Sequence, residues 1–227
     1  MGYSIIILGH ERPDELRKSV KCAMLQRPRA DVVAVWQNAP SAMELPAGVL
    51  DVRCNVNSGC ISRYALATLL KSRAYVFCDD DVYMTYPSIA RTMVEKLDES
   101  PVVGPRSRQV CTDGNEAPYS SAPDFEGTGP TGVVKGLLHA ATAEMMPRVL
   151  ELYRVFPDCG NSDDILLSAA CGLSGEPPRQ VWLPGVEYVY TKGVGLCQTA
   201  GHYRKRDEVC VRLAQKMGWE PERWYRA

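Results

Sequence analysis

Three consecutive carboxylates, Asp79-Asp80-Asp81, are the most informative feature of this sequence of 227 residues. They follow directly on the apolar run 74–78, which predicts a buried strand, and open α/β sheets bind their ligands at the carboxyl ends of strands. Adjacent carboxylates repel one another, so a fold tolerates them readily when a cation neutralises them. Hard oxygen ligands that leave sites for water or phosphate suit Mg²⁺ or Mn²⁺. The alternative is a solvated acidic turn.

Two further polar clusters could take part in the same chemistry. The pair Asp163-Asp164 precedes a helical pattern, where carboxylates also serve simply to cap free N–H groups and to favour the helix dipole. The segment 202–206 is the basic run His-Tyr-Arg-Lys-Arg. A solvated helix start explains such a run, whereas cations facing a metal-bound diphosphate would stabilise a leaving group. The sequence leaves both alternatives open for each cluster.

Alternating strand and helix patterns must position these residues. The predicted strands of the first part are 4–8, 31–36, 49–53, 74–78 and 102–104. Between them, Pro13 opens one helix, Ser58 can cap a second, and Pro87 opens a third. Such βα alternation predicts an α/β fold with a mainly parallel sheet covered by helices on both faces.

The pattern changes after residue 104. The segment 105–131 is rich in Gly, Pro, Ser and Asp, and an irregular segment of that length is usually functional or mobile. The remaining predicted elements are a strand at 133–140, a helix at 143–156, a helix capped by Ser162 at 163–171, short strands at 180–183 and 186–190, and a final helix around 207–217. Because no linker or repeat interrupts the chain, we expect one domain, 1–227.

Composition limits the classes of function. The chain has 26 Lys and Arg against 27 Asp and Glu, a net charge of −1, which excludes a globally basic nucleic-acid binder but not a local basic face. No apolar run approaches the roughly 18 residues of a membrane span, so we expect no membrane partner. The 9 cysteines, an odd number without CxxC pairs, are typical of reduced thiols in a cytoplasmic protein.

Several short motifs follow one another along the chain in an informative order. They are 4–12, 32–38, 74–81, 102–106, 159–166 and, near the C-terminus, 193–196 with 202–213. In this order they resemble the exostosin-type glycosyltransferase domain, a nucleotide-sugar transferase with the GT-A fold. The resemblance implies a GT-A-like α/β fold with a mainly parallel central sheet flanked by helices. Residues 1–104 would form the half that binds the nucleotide sugar, and 105–227 the acceptor-side half.

The resemblance also implies a role for each acidic and basic cluster. Asp81 would ligate the metal directly, Asp79 would lie near the ribose or reach the metal through water, and His202 matches the place of a C-terminal metal ligand. The residues assigned to catalysis are Asp164, which would hold the sugar at the reaction centre, its neighbour Asp163, and Arg206, which would face the diphosphate. Asn38 and Arg63 would contact the uridine, with Asn57 as a further candidate there. The other residues assigned to the donor are Gly9, His10 and Arg12 of the nucleoside loop, together with Asp79 and Asp80.

The implied function is metal-dependent transfer of a sugar, a hexose or an N-acetylhexosamine, from a UDP-sugar to an acceptor hydroxyl with retention of configuration. Mn²⁺, or Mg²⁺, would be the cofactor. Because the sequence begins at its first strand without an anchor, we expect a microbial or viral member, cytoplasmic or in the host cytoplasm. The acceptor is then a glycan, a small molecule or hydroxymethylcytosine in DNA, which the basic residues Arg106 and Arg108 could contact.

Two other classes compete with this interpretation. A nucleotidyltransferase also pairs a metal with carboxylates, but it would normally carry a glycine-rich phosphate loop with a basic residue right after the first strand. The segment 9–12, Gly-His-Glu-Arg, has one glycine and no such loop. A non-catalytic module that binds sugar nucleotides is the other alternative. Such a binder has no need of a second acidic pair, so the presence of Asp164 and Arg206 beside Asp81 favours an enzyme.

Overall fold

The computed structural model describes residues 2–39, 43–189 and 200–226. The strands are β1 (Tyr3–Gly9), β2 (Val32–Gln37), β3 (Val49–Arg53), β4 (Ala74–Asp79), β5 (Val82–Met84), β6 (Val102–Gly104), β7 (Ser107–Arg108), β8 (Gly129–Pro130), β9 (Val133–Val134), β10 (Leu138–Thr142), β11 (Arg179–Gln180) and β12 (Val186–Tyr188). The helices are α1 (Pro13–Met24), α2 (Ser62–Leu69), α3 (Ile89–Lys96), α4 (Met145–Val155), α5 (Asp163–Leu173) and α6 (His202–Met217), followed by a 3₁₀ turn, Pro221–Trp224.

Eight strands form the central sheet in the order β3-β2-β1-β4-β10-β6-β11-β8. The strands β3, β2, β1 and β4 are parallel neighbours, and β11 is parallel to β6, whereas β10 runs antiparallel between β4 and β6. The predicted α/β fold with a mainly parallel sheet is therefore confirmed. Since β10 lies between strands of the first half, the two predicted halves of the chain share one sheet.

Helices cover both faces of this sheet, as its alternating apolar residues require. Along β1, Ile6 points into one buried layer, and Ile5 and Ile7 point into the other. The first layer packs against α2, α4, α5 and α6, and the second against α1 and α3. Because β1 and β4 are buried on both faces, their apolar runs are nearly unbroken, which is typical of central parallel strands.

Parallel topology brings several chain turns to one edge of the sheet. The segments that follow β1, β2, β4 and β6 all leave the sheet at its carboxyl edge, and antiparallel β10 enters it there. The acidic residues after β4 therefore lie beside the turn after β1 and the turn before β10. The site is built at this edge.

Two local predictions need correction. Ser58 does not cap α2, because its backbone N–H and hydroxyl both donate to the Asn38 side chain, and the helix begins at Ser62. The predicted strand 133–140 is two strands, β9 and β10, separated by the turn that contains Gly136. The motif at 193–196 and the end of the predicted strand 186–190 lie outside the described residues.

The segment 105–131 has irregular backbone but is tied down by side chains. The backbone N–H groups of Tyr119 and Ser120 both donate to the Asp207 carboxylate of α6 at 2.8 Å. Val110, within the same segment, is fully buried. Long-range side-chain contacts, which leave no periodic pattern in the sequence, therefore hold this segment against α6.

Candidate active site

Each carboxylate of the acidic triplet (Asp79, Asp80 and Asp81) is paired with an arginine. Asp80 Oδ1 lies 2.5 Å from Nη2 of Arg12, and Nη1 of Arg12 pairs with Oδ2 of Asp81. Asp79 Oδ1 accepts a hydrogen bond of 2.7 Å from Nη2 of Arg63. Burial raises the pKa of Asp79 to about 7 and that of Asp80 to about 6, and the arginines oppose this rise. In this structure two arginines of the chain supply the positive charge that the triplet needs.

The turn after β1 presents Arg12 to the triplet. Glu11 adopts a left-handed conformation with φ of 55°, which is uncommon for a residue other than glycine. The backbone N–H of His10 donates to Asp80 Oδ2 at 2.8 Å, while the carbonyl of Arg12 accepts the N–H of Leu16 at 2.9 Å as α1 begins. The backbone of Arg12 is thus fixed between the acidic triplet and the first helix.

Arg63 connects the triplet to the acidic pair of α5. Its side chain is only 2% exposed, and Nη1 donates to the carbonyl of Gly136 at 2.9 Å. Its Nε lies 3.5 Å from Oδ2 of Asp163. Burial would lower the pKa of this guanidinium, but Asp79 and Asp163 outweigh that effect and raise it well above its usual value. Arg63 therefore stays charged between two carboxylates from different elements.

The pair Asp163-Asp164 is buried rather than solvated. Both oxygens of Asp164 accept from Nη2 of Arg206 at 2.7 Å, and Oδ2 also accepts the N–H of Gly136 at 3.0 Å. Burial would raise the pKa of Asp164, but Arg206 outweighs it and the pKa is lowered. For Asp163 burial prevails and raises the pKa, although Arg63 opposes it. The acidic pair is a structured site rather than a set of exposed helix-end charges.

Arg206 is the buried member of the basic run 202–206, and it enters the site. It is 5% exposed, donates to the carbonyl of Asn161 at 2.9 Å, and lies 4.1 Å from the ring centre of Tyr119. By contrast, the side chain of Arg204 is 83% exposed. Burial and the neighbouring Arg206 lower the pKa of His202, which lies at the start of α6.

The predicted metal ligands Asp79, Asp81 and His202 are not assembled as a set. Within residues 2–39, 43–189 and 200–226, no three His, Cys, Asp or Glu side chains are arranged to hold one metal ion. The physical reason is that Asp79 and Asp81 are held by different arginines, Arg63 and Arg12. The charged neighbours of His202 are Arg206 and Asp164 of the second acidic pair.

A divalent cation could nevertheless be held by fewer protein ligands. Mg²⁺ commonly binds one or two carboxylates and completes its coordination with phosphate oxygens and water. Asp81 Oδ1 is buried and has no hydrogen-bond partner among the described residues. The described site groups five carboxylates with three guanidiniums, which leaves two carboxylates in excess. Both observations fit a divalent cation at Asp81.

The residues predicted to contact the nucleoside differ in whether their side chains are used within the protein or are accessible to a ligand. The amide of Asn38 is used internally, since Nδ2 donates to Asn57 Oδ1 at 2.7 Å and Oδ1 accepts from Ser58. Gly9 packs closely on α1, because a Cβ there would lie 2.7 Å from a terminal methyl of Leu16, which would have to shift. His10 has a side chain 37% exposed, with Nδ1 2.8 Å from the carbonyl of Asn38. Asn38 and Asn57 thus shape the loop after β3, and His10 presents an accessible ring.

Two residues of the site were not predicted from sequence. The backbone of Gly136 contacts both Arg63 and Asp164, and a Cβ there would come within 3.3 Å of Asp164 Cβ. The ring of Tyr119 packs on Arg206. Each acts across a long sequence separation, so neither carries a local signal.

A cleft of about 420 Å³ opens near the site. The β5–β12 ribbon connects this cleft to the acidic triplet. Tyr188, which lines the cleft, pairs with Val82, and the N–H of Val189 donates to the carbonyl of Asp81 at 2.9 Å. Residues that line the cleft include Trp182, which is 74% exposed, and Arg106, whose guanidinium lies 5.0 Å from the ring centre of Tyr188.

Solved structures share this fold, although no family model matches the chain and no curated protein matches it in sequence. S. aureus TarS 1–349 in complex with UDP-GlcNAc matches with a TM-score of 0.59 and 13% identity, over 88% of this chain and 61% of that one. A second crystal structure of TarS 1–349 matches with a TM-score of 0.53 and 13% identity, over 80% of this chain and 58% of that one. The fold is GT-A-like. The chain thus spans about three fifths of those TarS chains.

A second kind of protein shares the GT-A-like fold. The 2-C-methyl-D-erythritol 4-phosphate cytidylyltransferase from Thermus thermophilus matches with a TM-score of 0.57 and 13% identity, over 95% of this chain and 100% of that one. At such identities the similarity concerns the fold alone. None of the helices in the described parts of the chain is long and apolar enough to cross a membrane.

Proposed function

We propose that the protein is a metal-dependent glycosyltransferase that moves a sugar from a UDP-sugar to an acceptor hydroxyl. The observation that carries the proposal is the geometry at the carboxyl edge of the sheet. There Arg63 joins Asp79 of the acidic triplet to Asp163, whose neighbour Asp164 forms the buried pair with Arg206. The GT-A-like fold, shared with a structure solved with UDP-GlcNAc, supports a UDP-sugar as the donor.

The acidic triplet is the proposed site of the cation and the diphosphate. Asp81 would hold Mn²⁺ or Mg²⁺, Asp79 would lie close by, and Asp80 would stay fixed by the N–H of His10. When bound, the cation supplies a Lewis acid for the departing diphosphate. Arg63 keeps Asp79 oriented, and a fixed arrangement of charges reduces the reorganisation that the reaction needs.

Asp164 is the proposed residue at the reaction centre. Arg206 holds its carboxylate in one orientation and lowers its pKa, so Asp164 is a weak base and a good hydrogen-bond acceptor. It would therefore orient the reacting sugar. The proton of the acceptor hydroxyl would pass to the departing phosphate oxygen, which agrees with retention of configuration. Since Nη2 of Arg206 is bound to Asp164, we assign Arg206 the positioning of that carboxylate rather than contact with the diphosphate.

The cleft beside the β5–β12 ribbon is the proposed acceptor site, and its lining favours a carbohydrate. Exposed aromatic rings such as Trp182 pack against the apolar faces of sugar rings. The loop residue Arg108, predicted to contact DNA, is instead paired with Asp124 at 3.1 Å, which also binds Lys135 at 2.7 Å. One carboxylate thus engages two of these cations and offsets part of their charge, and hydroxymethylcytosine DNA is the second acceptor to test.

Nucleotidyl transfer is the second candidate function, because a cytidylyltransferase shares the fold. That reaction would release pyrophosphate, whereas sugar transfer releases UDP. Sugar transfer is favoured because Gly9, the last residue of β1, is the single glycine at this turn and Arg12, the basic residue of the turn, binds the acidic triplet. The exostosin-type resemblance and a microbial or viral origin remain predictions.

Product analysis distinguishes these possibilities. The protein would be incubated with Mn²⁺ and a panel of UDP-sugars labelled in the sugar, with oligosaccharides and hydroxymethylcytosine DNA offered separately. We expect UDP and a labelled oligosaccharide. A parallel incubation with a nucleoside triphosphate and a sugar phosphate tests the second candidate, which would release pyrophosphate there and no UDP from the UDP-sugars. Label in DNA would replace the proposed acceptor. The same assay would be run on Asp81→Asn, with Asp113→Asn, a change at an exposed acid remote in sequence from the triplet, as its control.

A further inference from the structure

Arg12 occupies the carboxylate that the proposed function assigns to the divalent cation. Its Nη1 pairs with Oδ2 of Asp81 and its Nη2 with Oδ1 of Asp80. Asp80 has a second partner in the N–H of His10 at 2.8 Å. Among the described residues, Asp81 has no side-chain hydrogen-bond partner other than Arg12, because its Oδ1 has none. Loss of Arg12 would therefore free Asp81 completely and Asp80 only in part.

The guanidinium and a divalent cation compete for this place. Two positive groups on one small carboxylate repel each other strongly where water is scarce, and the Arg12 side chain is only 17% exposed. The backbone of Arg12 is fixed at the start of α1, so exchange requires only that the side chain rotate. A diphosphate beside the triplet would offer the guanidinium a new anionic partner, with which arginine forms bidentate hydrogen bonds.

We propose that Arg12 is an internal counter-cation that releases Asp81 when a nucleoside diphosphate binds, so that the divalent cation and the nucleotide bind cooperatively. This inference rests on the proposed function, since it concerns the same site. In the free protein, Arg12 neutralises the triplet and weakens metal binding. In the complex, Arg12 contacts the diphosphate and Asp81 contacts the metal. Because linkage is reciprocal, each ligand strengthens the other by the same factor.

The test measures Mn²⁺ binding directly. The electron paramagnetic resonance signal of free aqueous Mn²⁺ would be titrated with protein, with and without UDP, and the Mn²⁺ bound by UDP alone would be measured separately. For the wild type we expect UDP to tighten Mn²⁺ binding by about tenfold or more, within the usual range of such couplings. In Arg12→Met, binding without UDP should be about tenfold tighter than in the wild type, and the effect of UDP should be smaller.

Control variants separate this role from a general effect of charge. Arg17→Met removes an exposed arginine of the same helix and should bind Mn²⁺ as the wild type does. Arg12→Lys keeps one positive charge but cannot bridge two carboxylates, so its affinity for Mn²⁺ should be intermediate. Circular dichroism would establish that each variant is folded, and Arg12→Lys serves if Arg12→Met is not.

Two results would overturn the inference. The first is equal affinity for Mn²⁺ without UDP in the wild type and both Arg12 variants. The second is sugar transfer by the wild type in EDTA that Arg12→Met abolishes, which would make the guanidinium a permanent substitute for the metal. Failure of the proposed function would give a different result, because the wild type would then release no UDP from any UDP-sugar, whatever its affinity for Mn²⁺.

Discussion

Replacement of Arg206 by methionine should destabilise the fold strongly, because it leaves a buried carboxylate without its partner. Asp164 accepts two hydrogen bonds of 2.7 Å from Arg206, and both residues are less than 10% exposed. Removal of one member of a buried ion pair costs about 3–5 kcal/mol. Asp164 keeps the N–H of Gly136, so we expect the lower end, about 3 kcal/mol. In a chain of this size that loss lowers Tm by roughly 6–12 °C.

Urea denaturation followed by circular dichroism would measure the loss, and the same helix offers a control. Arg212 pairs with Asp158 at 2.9 Å, but the Asp158 side chain is 67% exposed and that of Arg212 31% exposed. Exposed pairs contribute little, so Arg212→Met should change the stability much less. The double variant Asp164→Leu/Arg206→Met should recover part of the loss, since no unpaired charge remains. Equal losses in Arg206→Met and Arg212→Met would show that the pair of Asp164 and Arg206 is not buried in solution.

Three further predictions concern the metal, acid stability and the acceptor. Asp81→Asn should abolish Mn²⁺-dependent binding of a UDP-sugar, measured by calorimetry, because the cation loses its carboxylate ligand; unaltered binding would contradict the assignment. Burial lowers the pKa of His139 to about 3, so only the unfolded chain gains a proton as the pH falls below about 6.5, and stability should drop by roughly 1.4 kcal/mol per pH unit from that group. His139→Gln should therefore show a shallower loss of stability between pH 6.5 and 4 in urea titrations, and an identical slope would refute this. Trp182→Ala should raise the KM for the acceptor and leave UDP release from the donor unaltered, and in Trp182→Phe the KM should return most of the way to the wild-type value. Impaired UDP release would place Trp182 on the donor side.

The sequence predicts the parts of the fold that depend on local patterns. The apolar residues of β1 and β4 identify central strands, and Pro13 marks the start of α1. Parallel topology then places the triplet at the carboxyl edge without knowledge of any side-chain contact. The start of α2 is not predictable in this way, because the polar groups of Ser58 are taken by Asn38.

The pairing within the site could not be predicted from sequence. The rule that adjacent carboxylates need a cation is correct, but it does not identify the cation, which here is supplied by Arg12 and Arg63. Arg63 reaches the carbonyl of Gly136, 73 residues away, and Arg206 reaches Asp164, 42 residues away. Such contacts follow from the three-dimensional arrangement of the elements and not from residue spacing.

The central claim is that the acidic triplet and the pair of Asp164 and Arg206 form one nucleotide-sugar site. Release of UDP from UDP-GlcNAc in the presence of Mn²⁺ tests it most directly, compared among the wild type, Asp81→Asn, Asp164→Asn and the control Asp113→Asn. We predict that the wild type and the control release UDP at the same rate, and that each variant in the site loses roughly a hundredfold or more, the scale for removal of one charge-stabilising group. Equal UDP release by all four folded proteins would contradict the account.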